Sequence, residues 1–259
     1  MSYPNFKNKH LEKPLFNPHD FLKYKKIKDK SFPKKWIITW QSSVKRYIRN
    51  KLKLKKVDLG FQGEIWRKGD IGIIWMRGIG SPHAATNMEE IIARGGKKFI
   101  LVGTAGGLQD FGIFLCEKSI RDEGTSHHYI ANSKYSYPSK ELSREFEDAL
   151  IKNNLKVERG TSWTIDAPYR ETKTEVLHYK KEGVKTVEME SSALFAVAQV
   201  RKVEIAATFI VSDILGEKKW NPEFDSKHVK IKLNKVLNVA IECLSNNTQK
   251  HGGKNKKKA

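Results

Sequence analysis

The sequence is poor in cysteine and in long apolar runs, and each shortage excludes a class of protein. Its two cysteines, Cys116 and Cys243, lie in apolar patterns without CxxC spacing or a nearby histidine pair. This arrangement argues against a zinc site and a disulfide framework, and it predicts two buried, reduced thiols. No apolar run reaches the roughly 18 residues of a membrane span, and the first residues lack the apolar core of a secretory signal. We therefore expect a cytoplasmic protein without a membrane partner.

Acidic residues are also scarce, because 29 Asp and Glu stand against 49 Lys and Arg, a formal net charge of +20. Such a surface attracts anions, including phosphate esters and nucleic acid. The lysines are spread over many segments, however, and no RNA-binding motif or aromatic stacking pattern accompanies them. We therefore do not expect nucleic acid to be a partner. With 259 residues, 39% of them hydrophobic, the chain is long enough for one large α/β domain.

The chain divides into three parts by composition. Residues 1–34 are a polar, lysine-rich extension, and residues 249–259 are a basic tail that we expect to be disordered. Residues 35–248 alternate short apolar runs with amphipathic stretches, which predicts a single α/β domain with a mixed central β-sheet flanked by helices. The predicted strands are 36–40, 71–76, 98–104, 113–120, 186–189 and 205–212. The predicted helices begin with "SPHAATNMEEIIARGG", N-capped by Ser81, and continue with 139–153, 172–182, 190–202 and a last long helix with Val229, Leu233, Val236, Leu237, Ala240 and Leu244 on one face.

Glycine-rich turns follow two of the predicted strands, "RGIGSPHAA" at 77–85 and "GTAGGL" at 103–108. Backbone N–H groups in such turns can approach an anion at the carboxyl end of a strand, so either turn is a candidate phosphate cradle. Neither turn matches the Walker pattern or GxGxxG. The alternative for each is a tight turn that needs positive φ.

Carboxylates stand at the ends of the last two predicted strands. Glu188 and Glu190 flank Met189 where a strand passes into a helix, and i, i+2 spacing would point both side chains to one side. Each carboxylate can accept hydrogen bonds from vicinal hydroxyls, as in a ribose diol, whereas the alternative is a pair of solvated glutamates. Asp213 ends the strand "ATFIVSD" and is either a proton donor in a partly desolvated cleft or an N-cap.

Five segments together resemble the purine nucleoside phosphorylase and uridine phosphorylase family: "GIGSP", "FILVGTAGGL", "RDEGTSHHY", "TVEMESSALFAVA" and "FIVSD". "GTSWTIDAPYRET" resembles a less characterised, uridine-phosphorylase-like branch. The resemblance implies a one-domain α/β fold, a homo-oligomer (dimer or hexamer), and phosphorolysis of a nucleoside to free base and ribose 1-phosphate. It implies phosphate as co-substrate and no metal or organic cofactor.

The resemblance also assigns roles to individual residues. Glu190 would bind the ribose hydroxyls, with Met189 under the sugar and Glu188 beside it. Thr104 and Gly80 would line the phosphate subsite. For the base, the candidates are Asp213 at the purine N7, Arg170 at a pyrimidine carbonyl and Trp163, which would either stack on the base or pack in the core.

Two phosphate-binding arginines of the family are replaced here, by Ser43 and by Leu101. Arg121 is a candidate substitute, as are Arg77 and either Lys55 or Lys56. Three alternatives to a purine or broad-range phosphorylase therefore stay open. They are a uridine phosphorylase, a phosphate-independent nucleosidase with Asp166 or His128 as its base, and a nucleoside-binding protein without turnover.

Overall fold

The computed structural model describes residues 3–27, 32–58, 63–216 and 220–246, and the basic tail predicted for 249–259 lies outside these ranges. The strands within them form one mixed sheet. They are β1 (Lys35–Thr39), β2 (Lys55–Val57), β3 (Gly63–Lys68), β4 (Ile71–Met76), β5 (Lys98–Gly107), β6 (Ile113–Asp122), β7 (Tyr135–Ser136), β8 (Glu158–Ile165), β9 (Val184–Glu188), β10 (Glu204–Leu215) and β11 (Trp220–Pro222).

Helices flank this sheet. The α-helices are α1 (Pro18–Tyr24), α2 (Ser42–Tyr47), α3 (Ser81–Ala93), α4 (Lys140–Lys152), α5 (Lys173–Lys181), α6 (Ser191–Arg201) and α7 (Lys227–Asn246). Three short 3₁₀ helices and one π-helical turn are Lys9–Leu11, Ser126–His128, Pro168–Arg170 and Ile48–Leu52. In the part of the chain described, no helix is both long and apolar enough to cross a membrane. The predicted fold class, a mixed sheet flanked by helices, is confirmed.

Part of the sheet closes on itself. β10 pairs with β5 and with β6, β6 pairs with β8, and β8 pairs with β9. β9 then returns to β5 through the pairs Gly106↔Val187 and Gly107↔Thr186. These five strands form a small barrel. The first residues of β5 also pair with β1, from which β4, β3 and β2 extend as an open sheet.

The apolar patterns of the helices explain how they pack. All six apolar residues predicted to share one face of α7 are buried against the sheet, as the 3.6-residue period requires. α6 is buried from Ser191 to Ala198, because the small and apolar residues of "SSALFAVA" fit between the sheet and α3. α6 is therefore packed against both α3 and the sheet.

The structure corrects the predicted start of α3. Ser81 is its first helical residue rather than its N-cap, and Gly80, with φ of 97°, occupies the N-cap position. The Ser81 hydroxyl instead donates to the Met189 carbonyl oxygen at 2.7 Å. Glycine suits this position because positive φ strains other residues. The glycine turn is thereby tied to the strand end that carries both glutamates.

Candidate functional site

The two glutamates of "VEMES" have separate surroundings, contrary to the expectation that they point to one side. β9 ends at Glu188, and Glu190 is the residue before α6, with φ of −137° and ψ of −33°. The i, i+2 rule for an extended strand therefore no longer applies at Glu190. Each carboxyl group has its own set of partners.

The Glu188 carboxyl is held entirely by the protein. One oxygen accepts from the backbone N–H groups of Glu190 and Ser191 at 2.8 and 2.7 Å. The other accepts from the hydroxyls of Ser191 and Thr164 at 2.6 and 2.5 Å. Burial raises the pKa of Glu188, and these donors oppose the shift in part. With both oxygens occupied, Glu188 anchors the first turn of α6, and we assign it no direct ribose contact.

Glu190 is also buried, but backbone N–H groups are the only donors identified for its carboxyl group among the described residues. Its Oε1 accepts from the Gly80 N–H at 2.6 Å, which joins the end of β9 to the turn before α3. Burial raises the pKa of Glu190 to about 8, and the charges of Glu188 and Asp166 act in the same direction. The backbone N–H groups of Gly80 and Met189 lower the pKa and oppose this shift in part, and no side chain among the described residues donates to the carboxyl group. Donors such as two vicinal hydroxyls would favour the ionised carboxylate here.

Thr104 lies beside this pair at the rim of the barrel. The pairing of β5 with β9 ends at Gly106↔Val187, and Thr104 and Met189 each stand two residues beyond that pair on the same side of it. Both side chains are half-buried. The Thr104 hydroxyl accepts from Gln41 Nε2 at 2.9 Å. Gln41 was not predicted as a site residue from the sequence. The only sequence feature that could have indicated it is its position just after the first strand.

The two positions that replace the family's arginines are structurally different. Leu101 is fully buried within β5, so the chain itself fills that place. Ser43 lies in the first turn of α2, next to Gln41, and is half-buried. On the same helix, the Lys45 ammonium binds Glu64 and lies 4.1 Å from the centre of the Trp75 ring. Neutral Gln41 and Thr104 therefore occupy the candidate phosphate region.

Asp213 lies level with Gly106, on the far side of β5 from β9. It is buried, and its oxygens accept from the Ser212 hydroxyl at 2.9 Å and from Trp220 Nε1 at 2.7 Å. Arg170, in the 3₁₀ helix after β8, is exposed. The next residue, Glu171, has its pKa raised to about 7 by burial and then by the Asp213 charge. Glu171, which the sequence did not single out, is thus a second carboxyl group near Asp213.

Two predicted site residues have structural roles instead. Trp163 is fully buried, its ring packs 4.7 Å from that of Tyr179, and its indole N–H donates to Asp122 at 2.9 Å. A base has no access to this ring, so we remove Trp163 from the base subsite. Arg121 donates to Ser126 Oγ and to carbonyl oxygens of residues 130, 131 and 133, with its guanidinium buried. Because the chain itself occupies these donors, Arg121 is not a phosphate ligand in this structure.

The candidate site is therefore the barrel rim near Gly80, Thr104, Met189 and Glu190, with Asp213 on β10, level with Gly106 of β5. Among the residues described, no group of three or more His, Cys, Asp or Glu is arranged to hold a metal ion. A small barrel extended by an open sheet, with carboxylates and glycine turns at one rim, defines the nucleoside phosphorylase class of α/β fold. The sequence matches the family model described as the phosphorylase superfamily over residues 46–245. The chain belongs to this superfamily.

Several known proteins are similar in sequence. A purine nucleoside phosphorylase of Plasmodium vivax (strain Salvador I) is 26% identical over 192 residues, 71% of this chain and 78% of the relative. A uridine phosphorylase of Treponema pallidum (strain Nichols) is 31% identical over 149 residues, 52% of this chain and 58% of the relative. An uncharacterized protein, R802, of Acanthamoeba polyphaga mimivirus is 29% identical over 150 residues, 55% of this chain and 58% of the relative. The matches to the last two span less than two thirds of those proteins.

Solved structures share the fold at lower identity. An AMP nucleosidase from Bacteroides thetaiotaomicron superimposes with a TM-score of 0.72 at 19% identity, covering 90% of this chain and 100% of the other. A purine nucleoside phosphorylase from Toxoplasma gondii superimposes with a TM-score of 0.74 at 17% identity, covering 85% and 94%. Both phosphorylases and nucleosidases are thus among the proteins of similar fold.

Proposed function

We propose that the chain is a nucleoside phosphorylase, which cleaves the N-glycosidic bond of a purine or broad-range nucleoside with phosphate. The products are the free base and ribose 1-phosphate. The observation that carries the proposal is the buried Glu190 carboxyl, which Gly80 fixes at the end of β9 and which has no side-chain donor among the described residues, with the Thr104 segment of β5 paired to β9. A carboxylate in this setting suits a ribose diol, since the two hydroxyls supply the donors that a buried carboxylate requires.

The proposed mechanism assigns a task to each end of the nucleoside. Met189 packs under the sugar and Glu190 holds its hydroxyls, so that the anomeric carbon faces the Thr104 and Gly80 turns where phosphate binds. Asp213, with Glu171 close by, binds or protonates the purine N7 as the base departs. Because the pKa of Glu171 is raised to about 7, this carboxyl group is able to exchange a proton near neutral pH.

A second candidate is a phosphate-independent nucleosidase. It is favoured by one observation, the neutral Gln41 and Thr104 in the place where a phosphate would need cations. Loss of two guanidinium contacts would remove on the order of 1.5–3 kcal/mol each from phosphate binding.

A phosphorylase would need other cations in place of the two arginines. We propose Lys56 and Arg77 for this role. Lys56 forms an ion pair with Glu64 at 2.8 Å, and Arg77 is exposed.

We also propose a homo-oligomer, a dimer or a hexamer. Exposed aromatic side chains support it, since Tyr169 and Trp220 flank the Arg170 and Asp213 segments with exposures of 100% and 55%. A second copy that covers these rings would remove apolar surface from water. Light scattering after size-exclusion chromatography tests this directly, and a monomer across micromolar concentrations would contradict it.

The experiment that tests the function is base release, followed by chromatography, from inosine, adenosine, guanosine and uridine with and without phosphate. Phosphate-dependent release with ribose 1-phosphate as product is the expected result. Release at equal rates without phosphate identifies the nucleosidase. No release, with nucleoside binding intact, identifies a binding protein without turnover. Preference for uridine over every purine nucleoside would replace the purine assignment by a uridine phosphorylase.

A further inference from the structure

The segment that joins α2 to β2 is strongly basic. Residues 44–57 contain seven lysines and arginines and no aspartate or glutamate. Lys45 and Lys56 form ion pairs with Glu64, which offsets part of their charge. The charged side chains between these two lysines that belong to α2, the π-helical turn and its C-cap are exposed, and they are Arg46, Arg49, Lys51 and Lys53.

Apolar residues hold this segment in place. Val44, Ile48 and Leu52 are spaced by four residues, so they share one face of the helical stretch. Val44 and Ile48 are fully buried in the core, and Leu52 and Leu54 pack against it while half-buried. The backbone that carries the basic side chains is therefore packed against the core, and the charges lie on its outer face.

α7 lies alongside this segment. α2 packs against α7, and Asn238 Nδ2 of α7 donates to the Tyr47 hydroxyl at 2.8 Å. A shallow groove of about 410 Å³ is lined on one side by Leu52 and Leu54 and on the other by Ile241 of α7. The basic segment and the last helix therefore form one continuous surface.

α7 and β3 add two exposed lysines to this surface. Lys235 stands three residues before Asn238, so both side chains lie on the face of α7 that meets Tyr47. Lys68, the last residue of β3, is exposed and lines the same groove as Leu54. We call the six exposed residues of this surface the basic strip: Arg46, Arg49, Lys51, Lys53, Lys68 and Lys235.

The basic strip follows α7 along most of its length. The Lys230 ammonium and then the Arg46 charge lower the pKa of Asp225, so Arg46 lies near the start of α7. At the other end, Lys68 shares the groove with Ser245, the residue before the last of the helix. Because α7 has 20 residues, it is about 30 Å long, which equals about nine base pairs of a nucleic-acid duplex.

Two acidic side chains beside the strip have partners of their own. Asp225 Oδ1 lies 2.8 Å from Lys230 Nζ. Glu242, which lines the groove, accepts from Asn153 Nδ2 at 3.2 Å and lies 3.8 Å from Lys152 Nζ. Lysines outside the strip therefore offset both carboxylates, and the strip keeps its positive charge.

The fold gathers charges that are separated in the sequence. The lysines are spread over many segments, and for that reason the sequence predicts no nucleic-acid partner. The fold, however, places the basic side chains of residues 46–53 beside Lys68 and Lys235. Residues 247–259, which follow α7 and lie outside the described residues, contain five more lysines and no aspartate or glutamate.

The chemistry of the strip suits a phosphate backbone. Tyr47 is half-buried and bound to Asn238, so it is held against α7 rather than presented for base stacking. The apolar side chains of residues 44–57 are buried or half-buried, so this segment has none to insert into a bilayer. Protection of the edge strand β2 does not explain the charges either, because Arg46, Arg49 and Lys235 belong to helices. Cations without stacking groups are typical of contacts to the backbone of a duplex.

We propose that the basic strip binds the phosphate backbone of a double-stranded nucleic acid, without base specificity. Cations that line up over a helix length neutralise several phosphates at once and release their counterions. The inference is independent of the proposed function, because the strip contains none of the residues assigned to the nucleoside or to phosphate.

The test is fluorescence anisotropy of the full chain with a labelled duplex of about 20 base pairs, between about 50 and 200 mM salt. The logarithm of the association constant should fall with the logarithm of the salt concentration, with a slope of about −5 or steeper for six phosphate contacts. The strip variant Arg49→Gln/Lys53→Gln/Lys235→Gln should bind at least about tenfold more weakly, and its slope should be flatter by about 2.7, because each contact contributes about 0.9.

The matched control is Lys173→Gln/Lys181→Gln/Lys202→Gln, which changes the net charge by the same amount. Lys173 and Lys181 are exposed residues of α5. Lys202 ends α6 with φ of 54°, as Lys53 ends the π-helical turn with φ of 49°. The control should bind the duplex within about twofold of the wild-type protein. Circular dichroism checks that both variants fold, and the single variant Lys235→Gln, whose slope should be flatter by about 0.9, replaces an unstable strip variant.

Several outcomes would contradict the inference. Equal weakening in the control and strip variants would show a response to net charge alone. Binding that is lost on deleting residues 247–259 but is unaffected by the strip substitutions would assign it to the tail. Tighter binding of a single strand of the same length would exclude a duplex partner, and tighter binding of phosphatidylserine vesicles would replace it by a membrane surface. Base release from inosine should be equal in the wild-type protein and the strip variant, so each of these outcomes leaves the proposed function standing.

Discussion

Replacing each glutamate of "VEMES" by alanine should produce two different defects. Glu188→Ala should destabilise the fold, because it removes the acceptor for the N–H groups of Glu190 and Ser191 and for two hydroxyls. Glu190→Ala removes the acceptor of the Gly80 N–H and no side-chain contact, and should instead weaken nucleoside binding.

The magnitudes follow from the donors left without a partner. A buried donor left unsatisfied costs about 1–3 kcal/mol, and the hydroxyls near Glu188 are able to rotate toward other acceptors, whereas the two N–H groups are not. We therefore expect Glu188→Ala to lower the free energy of unfolding by about 3–5 kcal/mol. Glu190→Ala should lower it by about 1–2 kcal/mol, because relief of the unfavourable buried carboxyl offsets part of the loss.

Urea denaturation followed by tryptophan fluorescence measures the first effect, and calorimetric titration with inosine measures the second. Equal losses of stability in the two variants would refute the division of roles. So would unchanged stability in Glu188→Ala, since the four short hydrogen bonds would then contribute nothing.

Three further predictions follow from the same geometry. Trp163→Ala should lower the free energy of unfolding by about 3–5 kcal/mol in urea, as for a core aromatic; unchanged stability with lost nucleoside binding would return Trp163 to the base subsite. The pKa of Glu190 rises from 4.5 to about 8, so the folded state keeps a proton that the unfolded chain releases, and its contribution to stability is lost as pH rises from 4.5 to 8. Melting temperatures across this range should decline less in Glu190→Gln, and an identical decline would contradict that pKa. Asp213→Asn should slow base release from inosine far more than from uridine, and equal slowing would remove the N7 assignment.

The sequence predicted the parts of the fold that are written in apolar patterns. α7 and the strands β1, β4, β5, β6 and β10 all correspond to predicted elements. β8, "ERGTSWTI", was not predicted, because its buried residues include hydroxyl-bearing Thr161, Ser162 and Thr164 rather than an apolar run. β2 and β3 were also missed, since lysines and a glycine interrupt their pattern. Closure of the barrel was beyond local reasoning, because it depends on two residue pairs between β5 and β9.

The site was predictable in outline and not in its contacts. The sequence placed Glu190, Thr104, Gly80 and Asp213 at strand ends or in turns, and the structure brings the first three to one rim. It could not separate Glu188 from Glu190, because the donors that engage Glu188 include Thr164 on another strand. Nor could it predict the role of Glu171. The pKa of Glu171 is raised by burial and by the charge of Asp213, which is distant in the sequence but near in the fold.

The measurement that tests the account most directly is the coupling between Glu190 and the ribose hydroxyls. Dissociation constants are measured for inosine, 2′-deoxyinosine and 3′-deoxyinosine with the wild-type protein and with Glu190→Ala. We predict that removing either hydroxyl weakens binding to the wild-type protein about tenfold or more, equal to about 1.4 kcal/mol, and has little effect in the variant. The same loss in both proteins would show that the hydroxyls bind elsewhere and would contradict the assignment of Glu190 as the ribose-binding residue.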